Sequence, residues 1–220
     1  MIKTINVQPT TEIIHSMRRA GYAWHEATLD IVDNSVDALR VRYNQTKKTD
    51  GLVKICYTMS DKTVESLIVA DNGTGIDRPT LESIMKIGWS AKRGGDHLGT
   101  FGMGLKTAGI SLGDIITVVS STSDSSKLNM VEWDVDTILQ TREFNAEFRS
   151  GSSVPLKMRQ LYLTHVGDTS GTMVVIGKLL EIVPKSTGAI TKTLVNKCKL
   201  NYRHILDTKD ISGYHFPFNI

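Results

Sequence analysis

Residues 67–76 read Leu67-Ile68-Val69-Ala70-Asp71-Asn72-Gly73-Thr74-Gly75-Ile76, an apolar strand run that ends on a carboxylate and two closely spaced glycines. Two glycines two apart at a strand end let the backbone turn sharply and approach a ligand closely. A carboxylate held at that point can accept a hydrogen bond from an amine, of which the adenine N6 group is one. Asp-Asn-Gly is also ordinary turn chemistry, so a ligand site requires further features on either side of it.

The feature upstream is a long helix expected over 24–43, after a short one from Thr10 or Thr11 to about residue 20. Ala23, Ala27, Ile31, Ser35 and Ala38, with Val32, Val36 and Leu39 beside them, follow the three-and-four spacing of a core-facing stripe. Asp30, Asn34 and Asp37, at i, i+4 and i+7, project from another face with Asp33 alongside. Polar residues in that pattern are either a solvated face or part of a site.

The feature downstream is Gly99-Thr100-Phe101-Gly102-Met103-Gly104-Leu105-Lys106-Thr107, a glycine-rich loop running into a helix near 104–110. Bare backbone N–H groups and the positive end of a helix dipole favour an anion, and Lys106 adds a formal charge, so phosphate is the expected guest. A P-loop requires Gly-Lys-Ser/Thr in sequence, and Leu105 intervenes between Gly104 and Lys106. The dinucleotide pattern GxGxxG also fails, because these glycines read GxxGxG.

Composition narrows the class without naming a ligand. The chain has 220 residues, 40% hydrophobic and 22% charged, a globular balance expected to form one domain over 1–220 with an α+β pattern. A net charge of +3 is too mild by itself to argue for nucleic acid; Lys192, Lys197, Lys199, Arg203 and His204 line a last helix expected over 190–206, a basic face that offers weak support for a nucleic-acid or acidic partner. Cys56 and Cys198 are too few and too far apart for a disulfide framework, and His15, His25, His97, His165, His204 and His215 show no metal spacing. With no leader-like start and no apolar run near the ~20 residues that span a bilayer, an intracellular protein is expected, cytoplasmic or, in a eukaryote, nuclear. The one unusual proportion is glycine: of 18, ten fall between Gly73 and Gly113. Further strands are expected over 52–59, 115–121, 128–135 and 172–176, the first forming a hairpin with 67–70, and a helix over 78–87 with Pro79 in its first turn.

Taken together, Asn34, Asp71 to Gly75, Gly99 to Gly104 and Gly171-Thr172 occur in the order of the motifs of the gyrase, heat-shock chaperone, histidine kinase and mismatch-repair (GHKL) ATPase superfamily, which the chain resembles. The resemblance spans about 12–206, and Ile87-Gly88-Trp89-Ser90-Ala91-Lys92 looks most like the microrchidia and related bacterial branch. It implies a two-layer α+β sandwich, the Bergerat fold, with a mixed, mostly antiparallel sheet and helices on one face. It implies ATP and Mg²⁺ as cofactors. Asn34 would ligate Mg²⁺ and Asp71 would read the adenine amine, with Thr172 supporting it directly or through water. Gly73 and Gly75 would let the backbone approach the base, and Ile76 and Ile87 would pack on its faces. Ser90, Lys92, the backbone of Gly99, Thr100, Phe101, Gly102, Met103, Gly104 and Leu105, and Lys106 would hold the phosphates. The segment 92–99 would be a lid, and closure would dimerise the domain through 1–19.

One departure bears on catalysis. Hydrolysing members of the superfamily carry Glu four residues before the Asn, and this chain has Asp30 there, one methylene shorter. A general base withdrawn by roughly 1.5 Å predicts slow hydrolysis with Asp30 as the catalytic residue, since a misplacement near 1 Å costs on the order of 10²-fold. Glu26, one turn earlier, is the weaker substitute. Three function classes follow from the resemblance: a slow ATPase used as a nucleotide-gated switch, a non-hydrolysing ATP-binding scaffold, and, last, a GHKL-type kinase. Because hydrolysing members continue into a second domain whose lysine reaches the γ-phosphate, a C-terminal domain or a partner chain is expected to supply it. No membrane association is expected.

Overall fold

A computed structural model describes residues 10–19, 22–87, 104–125 and 127–203, with the backbone of 218–219. Strands β1 (Gly51–Ser60) and β2 (Thr63–Asp71) form the expected hairpin, Ser60 pairing with Thr63 around Asp61 and Lys62. Both turn residues have positive φ, 46° and 68°, which matches the right-handed twist of the flanking strands. With β3 (Gly113–Ser121), β4 (Asn129–Asp134), β5 (Glu147–Ser150), β6 (Gly171–Leu179) and β7 (Phe218–Asn219), they build a sheet ordered β5-β4-β3-β6-β2-β1-β7. Every neighbouring pair is antiparallel except β1 and β7, so the sheet is mixed and mostly antiparallel, as expected.

Alternation along β2 sends Leu67 and Val69 to one face and Ile68 and Ala70 to the other, and all four are buried. The first face carries the main helical layer: α1 (Ile13–Arg18), α2 (Trp24–Thr46), α4 (Gly104–Leu112) and α7 (Thr187–Asn201) pack their apolar residues against it. Each buried Leu, Ile or Val there contributes about 2 kcal/mol relative to exposure. The shorter α3 (Arg78–Ser83) and α5 (Val135–Thr141) join the same core through Leu81 and Ile138. The opposite face is partly covered by α6 (Leu156–His165), whose Met158, Leu161 and Tyr162 pack on Ile68, Met130 and Met173.

The element that positions the site is α2. Ala27, Ile31, Val32, Ser35, Val36 and Leu39 are buried at the anticipated spacing, and no glycine or proline interrupts its 23 residues. It stops where Lys47 adopts a left-handed φ of 59°, its N–H bonding the Tyr43 carbonyl at 2.8 Å. At the other side of the layer, the Arg18 guanidinium bonds the Ile110 carbonyl at 3.2 Å and pairs with Asp114, clamping α1 to the C-terminal end of α4.

Several boundaries differ from expectation. The first helix begins at Ile13 without a threonine cap, because Thr11 is itself buried and Glu12 occupies the N-cap position. The expected helix over 78–87 stops at Ser83, where the Lys86 N–H bonds the Ser83 carbonyl and tightens the chain into a turn. The last helix runs over Thr187–Asn201, and 204–206 lie outside the described residues. Among the described residues, no helix is long and apolar enough to cross a membrane.

Candidate functional site

Asp71 closes β2 and is 3% exposed. Its carboxylate accepts from the Gly73 N–H at 2.9 Å, from the Ser35 hydroxyl of α2 and from the main-chain N–H of Thr172 on β6. Burial outweighs these three donors and pushes its pKa up to about 6. The turn that follows is pinned on every side. Asn72 accepts from the Leu52 N–H at 2.8 Å and donates to the Asp50 carbonyl at 2.9 Å, Ser170 donates to the Gly73 carbonyl at 2.9 Å, and the Ile76 N–H donates to Ser120 Oγ at 2.8 Å.

The glycines are required by contact. A Cβ on Gly73 would stand 2.8 Å from the Ala38 Cβ of α2, and Gly75, at φ +72°, lies so close to β3 that its Cβ would stand 1.9 Å from the Ser121 carbonyl oxygen. Thr172 reaches Asp71 through its main chain, while its hydroxyl meets Ser120 Oγ at 3.0 Å. Since Ser120 gives its only proton to the Gly171 carbonyl at 2.7 Å, Thr172 is the donor in that pair. Ile76 and Ile87 are half-buried and pack at the rim of the same core.

The four polar residues of α2 divide into two kinds. Asp33 takes a 2.7 Å hydrogen bond from the buried Tyr202 hydroxyl, and Asp37 is buried with Arg40 at 3.7 Å, so both face protein. Asn34 is exposed, and its Nδ2 donates to the Asp30 carbonyl at 2.9 Å, which leaves the amide oxygen presented outward. Asp30 is half-exposed, and its Oδ2 accepts from the Tyr22 hydroxyl at 2.5 Å. Glu26 is exposed in the first turn.

On α4, Gly104 is exposed, Leu105 half-buried and Lys106 2% exposed, so Lys106 is no ordinary surface lysine. Burial lowers its pKa to about 8. Ser90, Lys92, Gly99, Thr100, Phe101, Gly102, Met103 and the expected lid lie outside the described residues. An open cleft of about 1110 Å³ lies beyond the turn, between the C-terminal half of α2, the β3–β4 turn and α6; it is lined by Gly75 and Ile76 but not by Asp30, Asn34 or Asp71.

Sequence reasoning missed Tyr22, Ser35 as a polar partner, and Ser120. Ser35 read as a small residue in an apolar stripe, and the only signal was its polarity at a buried position. Nothing local marks Tyr22, which precedes the helix by two residues and acts on its second turn. Among the described residues no cluster of three His, Cys, Asp or Glu could hold a metal. A single outward amide oxygen nevertheless suits Mg²⁺, which takes one or two protein ligands and completes its shell with phosphates and water.

Asp30 and Asn34 on α2, the buried carboxylate of Asp71 and Lys106 of α4 all lie within residues 22–161, the stretch matched by a family profile. The chain is similar to Protein MICRORCHIDIA 1 of Arabidopsis thaliana, 27% identical over 128 residues, or 58% of this chain and 19% of that protein. The match therefore spans about a fifth of that relative's length. A family profile described as histidine kinase-, DNA gyrase B- and HSP90-like ATPase matches residues 22–161, well over half of the chain, from Tyr22 before α2 into α6. The chain belongs to this ATPase family, and that membership supports ATP binding.

Proposed function

We propose that this domain binds ATP with Mg²⁺, hydrolyses it slowly with Asp30 as general base, and uses the bound nucleotide as a conformational or dimerisation switch. The observation that carries it is the layout of α2. Ala38 and Ser35 touch the Gly73 and Asp71 end, Asn34 presents its amide oxygen one residue earlier, and Asp30 follows one turn on. The eight helical steps from Ala38 to Asp30 cover about 12 Å of helix axis, the scale of a nucleotide laid base to phosphate.

Asp71 would accept from the adenine amine and Lys106 would face the phosphates. Mg²⁺, when bound, would neutralise phosphate charge and would be held by Asn34. Asp30 would take a proton from the attacking water through the oxygen that Tyr22 leaves open. Phosphate contacts made with ATP and lost with ADP supply the differential affinity that a switch requires. Residues 13–18 are committed to the domain's own core through Ile14 and Met17, so an exchanged N-terminal arm would lie before them.

The short Asp30 side chain, already engaged by Tyr22, favours a second reading, a scaffold that binds ATP without turnover. Turnover and sedimentation with a non-hydrolysable ATP analogue or ADP, for the unmodified protein and Asp30→Asn, separate the two. Slow turnover abolished by Asp30→Asn, with analogue-dependent association, is expected. A monomer in both nucleotide states with no turnover overturns the switch and leaves the scaffold.

A further inference from the structure

We propose that Tyr22 is a positioning residue for Asp30, fixing the carboxylate so that one oxygen is held and the other faces the attacking water. This role rests on the hydrolysis reading above. Tyr22 lies outside α2, two residues before its first, yet its hydroxyl reaches the second turn and donates to Asp30 Oδ2 at 2.5 Å. Its ring is packed at the edge of the main core, so the hydroxyl is mounted on a fixed support.

An aspartate has two torsions, and a single strong hydrogen bond to one oxygen restrains both. That matters here because the carboxylate sits one methylene short of where a glutamate would place it, so little freedom remains to recover the geometry. A charge-assisted O–H···O⁻ bond is expected to be short, as this one is. The same contact raises the Tyr22 pKa to about 12, so the phenol remains a donor throughout the range in which the domain would work. Asn34 Nδ2 bonds the Asp30 main chain and does not compete for the carboxylate.

Tyr22→Phe tests the proposal, because phenylalanine keeps the packed ring and deletes only the hydroxyl. With ATP and Mg²⁺, kcat is expected to fall at least tenfold, with KM and the dissociation constant of a non-hydrolysable analogue within twofold. Independently of turnover, ring ¹³C NMR of Tyr22 should show its pKa falling by at least one unit in Asp30→Asn. An unchanged kcat, loss of analogue binding in parallel with kcat, or a Tyr22 titration indifferent to Asp30→Asn each overturns the role while leaving hydrolysis standing. Absence of turnover in the unmodified protein overturns the hydrolysis reading and this role with it.

Discussion

Ser35, a buried position on the core stripe of α2, donates its hydroxyl to the carboxylate of Asp71 at the end of β2. The helix and the strand end are thereby joined by a polar contact inside an otherwise apolar interface. Such a contact is costly unless satisfied, and Asp71 satisfies it while also collecting the N–H groups of Gly73 and Thr172. Three donors from three segments fix the direction of one carboxylate.

Asp71 should make the stability of the fold depend on pH. Its pKa rises from 3.8 to about 6 on folding, so between those values the folded state holds a proton that the unfolded chain releases. The stabilisation is complete below pH ~4 and is lost as pH rises to ~6, a change on the order of 3 kcal/mol. Urea unfolding of the unmodified protein and Asp71→Asn should diverge with this sign. Nucleotide affinity should move the other way, rising through pH 6 as the carboxylate ionises to accept from the base. Equal pH profiles for the two proteins would contradict the assignment.

Gly75→Ala should be among the most damaging single-methyl additions in the domain. It combines a φ of +72° with a Cβ 1.9 Å from the Ser121 carbonyl, a backbone atom that cannot step aside. A loss of about 2–4 kcal/mol is expected, which for a domain of this size lowers the melting temperature by roughly 5–15 °C. Thermal unfolding by circular dichroism reads it directly; a shift under 2 °C would mean that β3 yields.

Much of this architecture was legible because it is written in local pattern. The apolar spacing of α2, the alternation of the hairpin and the glycines of 73–75 each identify themselves within a few residues. The helices α5 and α6 did not. Asp134 caps α5 through Thr137 N–H at 3.2 Å, but it lies at the end of a strand and reads as its continuation. In α6, Leu156 and Leu163 are 60% and 59% exposed, which blurs the apolar face that would have announced a helix. Within the site, Asp71 and Asn34 were marked by type and position, whereas Tyr22, Ser35 and Ser120 acquire their roles only from pairings across separate segments.

Tyr202 ties the end of α7 to α2, its buried hydroxyl donating to Asp33 at 2.7 Å and contacting the Leu29 carbonyl at 3.3 Å. Tyr202→Phe strands a carboxylate whose pKa burial already raises. A loss of about 1–3 kcal/mol is expected. Because the lost hydrogen bond favours ionised Asp33, the penalty should be larger at pH 7 than at pH 4, where the carboxyl can protonate. Denaturant midpoints at the two pH values check this, and a penalty independent of pH would assign the effect to packing alone.

Lys106 provides the sharpest test of where phosphate binds. Burial lowers its pKa from 10.5 to about 8, so the folded state disfavours the ammonium. The resulting instability is present below pH 8 and is relieved as pH climbs towards 10.5, and Lys106→Met should remove that slope while keeping the side-chain volume. A bound triphosphate would restore the charge, so nucleotide binding near pH 8 should take up a proton, seen as heats that depend on buffer ionisation in calorimetry. Lys106→Met should abolish that uptake and weaken ATP by about 10- to 100-fold, the scale of a lost charge-assisted hydrogen bond, while sparing adenosine. If ATP and adenosine weaken equally, Lys106 supports the fold of the pocket and does not hold the phosphates.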